Sequence, residues 1–265
     1  MFKKITLAVA ILIGAVVAAP ADHWAVIVAG SNGFWNYRHQ ADVCHAYQIM
    51  KKNGIPEDQI IVFSYDDVAN DPENPFPGKL FNKPNGSDVY AGCKIDYRAG
   101  DVTPANFLSV LQGDAAALKG KGTGKVLKSN ENSKVFVNFA DHGAPGLIAF
   151  PSEYLYANDF NKTITYMNQN KMYKEMVLYI EACESGSMFE GILADNINVY
   201  AVTAANADES SWGTYCYPDD SVQGTHINSC LGDLFSVNWM EDTEAADITT
   251  ETLDVQFEKV KKLTA

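Results

Sequence analysis

Five short apolar runs, separated by helical or turn-rich sequence, constrain this chain more than any other feature. They are His23-Trp-Ala-Val-Ile-Val-Ala29, Ile60-Ile-Val-Phe-Ser-Tyr65, Val135-Phe-Val-Asn-Phe-Ala140, Met176-Val-Leu-Tyr-Ile180 and Asn198-Val-Tyr-Ala-Val-Thr203. A strand with one wet face alternates apolar and polar residues. These runs do not alternate, so both of their faces are expected to be covered. With helices between them, they predict an α/β fold whose central sheet is mostly parallel, sandwiched between two helical layers. Ala41 to Lys52 reads as a helix closed by Asn53-Gly54. A second helix opens with Thr103 as N-cap and Pro104 in its first turn and runs to about Leu118. A third closes near Lys171 to Lys174. Asp66 to Asp101, rich in Pro, Gly and Asn, reads as a long surface excursion. No repeat is visible, and the chain does not divide.

Residues 1–21 read as a secretory signal peptide. Met1-Phe2-Lys3-Lys4 is a positive n-region, Ile5 to Val17 is almost wholly apolar, and Ala19-Pro20-Ala21 supplies small residues for a cut after Ala21. The apolar run is short for a ~20-residue span, which argues against a membrane anchor. A soluble mature protein on the secretory route is expected. Two glycosylation sequons agree with that route, Asn85-Gly-Ser87 and Asn161-Lys-Thr163, both in polar stretches read as loops. The formal net charge is −13. That excludes a nucleic-acid backbone as a natural partner. It also implies self-repulsion once the carboxylates ionise, so the core is expected to be stabler near pH 5 than at pH 7.5.

There are five cysteines, so at least one thiol stays unpaired. Cys216 and Cys230 flank a polar loop that a disulfide between them would close. Cys44, on a partly apolar helical segment, reads as a buried thiol; Cys93 gives no reading. Cys183 is the remaining cysteine.

In open α/β sheets, sites form beyond the carboxyl ends of the strands. Four segments qualify here: Gly30 to His39, Asp141-His-Gly143, Glu181-Ala-Cys-Glu-Ser-Gly186 and Ala204-Ala-Asn206. A histidine and a cysteine therefore stand on neighbouring edges. A thiol becomes a nucleophile as thiolate, and an adjacent imidazole can take its proton. The tetrahedral oxyanion that follows needs fixed N–H donors, which Gly143 and Cys183 can provide. Taken singly, Cys183 reads as a buried thiol and His142 as a turn residue. As a Gly-flanked pair after two apolar strands, they are hard to explain by packing. Zinc ligation lacks its spacings, and no Gly-x-Ser-x-Gly elbow marks a serine hydrolase. No metal or cofactor is expected.

Several stretches resemble the legumains, the asparaginyl endopeptidases of the caspase-like cysteine peptidase group. They include Val28-Ala-Gly-Ser-Asn-Gly33, Asn36-Tyr-Arg-His-Gln-Ala-Asp42, Lys83-Pro-Asn-Gly86, Asp141-His-Gly143, Tyr179-Ile-Glu-Ala-Cys-Glu-Ser-Gly-Ser-Met188, Thr203-Ala-Ala-Asn206, Leu231-Gly-Asp233 and Ser236-Val-Asn-Trp-Met-Glu-Asp242. The resemblance runs from about His23 to the end and implies a caspase-like α/β/α sandwich. It implies Cys183 as nucleophile, His142 as general base and acid, and Asn36 as the group orienting the imidazole. Gly143 and Cys183 would form the oxyanion hole. Arg38, Glu181 and Asp233 would line a specificity pocket, with His39 and Ser211 nearby. Such a pocket suits asparagine: Arg38 donates to the carboxamide oxygen, and the two carboxylates accept from its NH₂. A substrate aspartate would enter only when protonated, at acidic pH.

The resemblance implies peptide and protein substrates with Asn or Asp before the cut, no nucleic-acid or membrane partner, and a lysosomal, vacuolar or secreted location. Family precursors continue into a C-terminal helical prodomain. The expected organisation here is a signal peptide at 1–21 and a catalytic domain at 22–265, with that prodomain absent. The prodomain and cystatin-type inhibitors are expected partners. The family's usual Gly-Trp-Tyr-Asn is Gly33-Phe-Trp-Asn36 here, and the Cys216–Cys230 loop is closer to the plant type. Two alternatives stand beside the hydrolase. The first is a transpeptidase (peptide ligase) using the same acyl-enzyme. The second is a non-catalytic binding protein on the same fold, against which intact Cys183, His142 and Asn36 count.

Overall fold

The computed structural model describes residues 22–247 and 250–265; the signal-peptide reading at 1–21 lies outside the described residues. Five strands form the central sheet: β1 (His23–Ala29), β2 (Ile60–Phe63), β3 (Lys134–Ala140), β4 (Glu175–Glu181) and β5 (Val199–Thr203). Their order is β2-β1-β3-β4-β5, with every pair parallel. All five strands predicted from the apolar runs are present, with ends that move by up to two residues.

Helices cover both faces. Helices α1 (Tyr37–Lys52), α4 (Leu234–Ala245) and α5 (Leu253–Thr264) lie on one side. There Val43, Tyr47, Phe235, Trp239, Met240 and Val260 pack with Ala25, Ile27, Ile60 and Val62. Helices α2 (Pro104–Leu111) and α3 (Ala157–Gln169) lie on the other, where Phe107, Val110, Phe160, Ile164 and Met167 meet Val26, Val28, Val137, Phe139 and Leu178. Alternate residues of one strand thus enter two different cores, which is why none of the runs alternates. Among the described residues, no helix is long and apolar enough to cross a membrane.

Four sequence readings need correction. Helix α2 keeps its predicted start, with the Thr103 hydroxyl accepting from the Asn106 N–H at 3.2 Å, but it stops at Leu111. Gly113 turns the chain with φ +69°, and a Cβ there would meet the Leu127 carbonyl at 2.9 Å. The third helix ends at Gln169, before the Lys171 to Lys174 region. Asn161 lies on that helix and not in a loop. The apolar series Ala157, Phe160, Ile164 and Met167 has helical spacing, and all four are buried. Asn85 is exposed in a turn, as expected.

The last correction concerns cysteine and the excursion together. Cys44 is no free thiol: it is bonded to Cys93. The 66–101 segment is partly interior, because Val68, Ala69, Leu80, Phe81 and Val89 bury themselves against Phe34, Tyr37 and Ala41. Its apolar residues occur singly among turn residues, so no periodicity announces this small third core. The bond anchors it to α1. Cys216 and Cys230 form the second disulfide, as expected, and Cys183 is free.

Candidate active site

The chain leaves β1 to form β2 on one flank, then returns to form β3 on the other. Between β1 and β3 the strand order reverses, and a crevice opens there beyond the carboxyl ends. The Gly30–His39 segment enters it from β1, Asp141-His142-Gly143 from β3 and Cys183 from β4. The β3 and β4 ends are locked in register: Ala140 faces Glu181, and the Asp141 N–H donates to the Glu181 carbonyl at 3.1 Å. Gly143 is packed directly on the nucleophile's backbone. A Cβ there would stand 2.4 Å from the Cys183 carbonyl oxygen, so only glycine fits.

Cys183 is half-buried, and its sulfur receives the Ser211 N–H at 3.4 Å. The residue after it, Glu184, is left-handed with φ 48°. That turn lifts Cys183 off the strand and starts the short helical turn Ser185–Met188. Gly186 seats the turn against the β5 end, where a Cβ would meet the Ala207 nitrogen at 2.8 Å. On the other side of the crevice, His142 is exposed and its Nε2 lies 2.9 Å from Asn36 Oδ1. Asn36 Nδ2 donates to the Asn32 carbonyl at 3.0 Å, which fixes its oxygen toward the imidazole. Nε2 is then the protonated nitrogen of the neutral ring, and Nδ1 keeps the lone pair that a base needs.

The predicted specificity residues also come together. Arg38 Nε donates to Asp233 Oδ1 at 2.7 Å. Glu181 Oε2 accepts from the backbone N–H and hydroxyl of Ser236 at 2.9 and 3.0 Å. Glu181 Oε1 and Asp233 Oδ2 are both buried and have no hydrogen-bond partner among the described residues. Burial, then the charge of Asp233, pushes the Glu181 carboxyl up to about 8. Gly213 sits between Arg38 and the Cys216–Cys230 bridge, 3.3 Å from each by its would-be Cβ, so the disulfide backs the pocket wall.

His39 is a buried connector behind the crevice. Its Nδ1 is 2.6 Å from Ser31 Oγ and 3.2 Å from Asp141 Oδ1, and its Nε2 is 3.4 Å from Asp233 Oδ2. Its ring meets that of His142 edge-on, with centroids 5.2 Å apart. Burial holds its pKa down at about 3, so it is neutral. Burial pushes Asp141 up to about 7. Sequence reasoning assigned no role to Asp141, Ser31, Ser236 or Asp42. All four lay inside matched motifs, and that was the only available signal. A cavity of about 570 Å³ opens on the histidine side, lined by Asn36, Asp141, His142, Leu147, Phe150 and Tyr154 among others. His39, Asp141 and His142 bring one potential ligand atom each within 4.8 Å of one another.

Comparison with known proteins identifies the family and the fold. The model of the Peptidase C13 family matches residues 23–265. Legumain of Mus musculus is 60% identical over 242 residues, covering 91% of this chain and 54% of that protein. Legumain of Homo sapiens is 56% identical over 262 residues, covering 97% of this chain and 59% of that one. The vacuolar-processing enzyme delta-isozyme of Arabidopsis thaliana is 52% identical over 246 residues, covering 92% and 53%. The chain thus spans a little over half the length of these relatives. Among solved structures, caspase-1 from Spodoptera frugiperda superposes with a TM-score of 0.54 at 11% identity, covering 91% of this chain and 77% of that one. That likeness establishes a caspase-like fold.

Proposed function

The chain is a member of the peptidase C13 family, and from that premise we propose that it is a cysteine endopeptidase cutting peptide bonds after asparagine. One observation carries the specificity: two buried carboxylate oxygens without partners, Glu181 Oε1 and Asp233 Oδ2, accompany one guanidinium, Arg38. A buried acceptor left unpaired is costly. An incoming carboxamide NH₂ supplies two donors, and its oxygen accepts from Arg38.

The chemistry follows from the positions. His142 Nδ1 takes the Cys183 proton while Asn36 holds Nε2–H, and the Ser211 N–H stabilises the thiolate. The sulfur adds to the scissile carbonyl, and the oxyanion falls to the N–H groups of Gly143 and Cys183. Collapse expels the amine, which takes its proton from His142 and leaves a thioester. Water, deprotonated by His142, attacks the thioester and releases the acid and the thiol. A substrate aspartate competes with asparagine only when its carboxyl is protonated, because the Asp233 carboxylate repels its anion while Glu181, held neutral by burial, offers it no compensating charge. The cavity beside His142 offers apolar seats, Leu147, Phe150 and Tyr154, for chain beyond the cut. It favours a second outcome, in which a bound amine and not water resolves the thioester and joins two peptides. An acidic compartment of the secretory route, lysosome or vacuole, fits both the pocket chemistry and the names of the relatives. Residues 1–21 would direct the chain there, with Asn85 the better-placed glycan acceptor.

A mass-spectrometric cleavage profile of a mixed peptide library at pH 5.5 and 7, run beside Cys183→Ala, tests the reading. Cuts after Asn that vanish in the variant are expected. Joined peptides at pH 7 would establish the ligase outcome. Cysteine-dependent cuts after other residues would overturn the pocket assignment.

A further inference from the structure

Asp42 lies on α1, one helical turn beyond Arg38, and is 1% exposed. Its carboxyl has three neighbours. Asn82 Nδ2 donates to Oδ1 at 2.7 Å. The Asp233 N–H lies 3.2 Å from Oδ2 and 3.4 Å from Oδ1. The third neighbour is the Asp233 carboxylate, carried on the same residue whose N–H meets Asp42 and close enough for its charge to act on it. None of these is a cation. Asn82 is fixed in turn, donating also to the Leu231 carbonyl at 2.9 Å and meeting His45 Nδ1 through its own oxygen at 2.8 Å. Gly232 is what lets the Gly232–Asp233 backbone come this close, since a Cβ there would meet Asn82 Nδ2 at 2.8 Å and Asp42 Oδ1 at 3.1 Å.

The charge count behind the pocket is unbalanced. Three buried carboxyls, Asp42, Glu181 and Asp233, converge on one permanent cation, Arg38, with His39 neutral between them. Two adjoining carboxylates in a buried site do not both ionise. Asp233 is the one paired with Arg38, so the proton belongs to Asp42. We infer that Asp42 is a protonated positioning residue of the asparagine pocket: neutral, it accepts the Asp233 N–H and holds the Asp233 carboxylate for Arg38 and for substrate without adding a second charge beside it. This rests on the proposed asparagine specificity and names a further residue that sets it. Burial, then the Asp233 charge, raises the Asp42 carboxyl well above the usual range, in agreement.

The groups acting on Asp42 are Asp233 from its short ribbon, Glu181 from β4 and Asn82 from the loop; Arg38 and His39 lie beyond it on Asp233, and His45 lies beyond it on Asn82. When Asp42 ionises, a second negative charge appears beside Asp233, and the pocket loses its geometry at alkaline pH. An asparagine at position 42 would keep an acceptor oxygen for Asn82 and for the Asp233 N–H, without a titrating proton.

The test compares wild type, Asp42→Asn and Asp42→Ala on an Asn-containing peptide from pH 5 to 8, with kcat and KM separated. The rate of Cys183 alkylation by iodoacetamide monitors the nucleophile independently. For Asp42→Ala, KM is expected to rise about tenfold or more, with kcat and alkylation nearly unchanged. Asp42→Asn should keep the wild-type KM at pH 5.5 and move the alkaline loss of kcat/KM to higher pH. An Asp42→Asn variant as impaired as Asp42→Ala, or one with an unmoved alkaline limb, overturns the inference. The infrared difference spectrum of wild type minus Asp42→Asn at pH 6 needs no activity. It should contain a protonated-carboxyl band, and an ionised-carboxylate band there overturns the inference too. If wild type does not cut after Asn, the specificity reading fails and the positioning role falls with it. The infrared result still decides where the proton sits.

Discussion

The middle of the sheet and its carboxyl edge are built on opposite terms, although only one or two residues along the chain separate them. Val137, Phe139, Leu178 and Ile180 are wholly buried, apolar and paired through regular parallel ladders. The next positions along β3 and β4 bring Asp141 and Glu181, equally buried, each with one oxygen that has no partner. Asp233 adds a third such oxygen from the facing ribbon. The interior removes apolar surface from water and leaves little unsatisfied. The edge holds desolvated carboxyls, each keeping one oxygen that no donor among the described residues satisfies. Apolar burial therefore belongs to the first region and unsatisfied polar burial to the second, and the first region holds the second in place.

That division can be broken by experiment. Cys183→Ala should abolish cleavage, by about 10⁴-fold or more, while leaving the melting temperature near that of wild type. A large change in stability would mean that the edge also carries the fold. Phe139→Ala, in the interior, should reverse the pattern. It is expected to lose about 3–5 kcal/mol of stability in denaturant titration, with the rate per titrated active site retained well below its melting point. Arg38→Ala should lower kcat/KM for Asn peptides by about 10²-fold, mainly through KM, and Arg38→Lys should recover only part of it because the fork geometry is missing.

The smallest effect sharpens the comparison through pH. The folded-state pKa values of Asp141 and Glu181 are raised to about 7 and about 8. Asp42 is raised as well. Their contribution to stability is complete below the ordinary carboxyl range and is lost as pH climbs through those values. His39, lowered to about 3, acts in the opposite sense and weakens the fold below about pH 6.5. Three raised carboxyls outweigh one lowered imidazole. Scanning calorimetry should give a melting temperature a few degrees higher at pH 5 than at pH 7.5, and Glu181→Gln should flatten the difference. The sequence pointed to the same direction from the net charge of −13. The structure relocates the cause to a few buried edge carboxyls.

The apolar runs and the strand-end rule placed His142 and Cys183 on adjoining edges before any coordinate, because burial on both faces leaves an unmistakable pattern. The matched motifs supplied Asn36, Arg38, Glu181 and Asp233 as names, and the fold brings them within reach of one another. Other features left no pattern to read. Cys44 and Cys93 are 49 positions apart, and neither neighbourhood marks a bridge. The third core collects single residues from Phe34, Val68, Leu80, Val89 and Ile227, none of them periodic. Asn161 was hidden by polar neighbours on the exposed face of α3.

The sequence by itself determined the layers, the parallel sheet and the chemistry available at its edge, since these follow from local apolar pattern and residue type. Only the tertiary structure decided charge and exposure. It made His39 a neutral buried link between Asp141 and Asp233, and it left Glu181 and Asp233 each with a free oxygen among the described residues. It also set Asp42 behind Asp233 without a cation. Those properties depend on which distant segments exclude water from a carboxyl, and no local stretch of sequence encodes that.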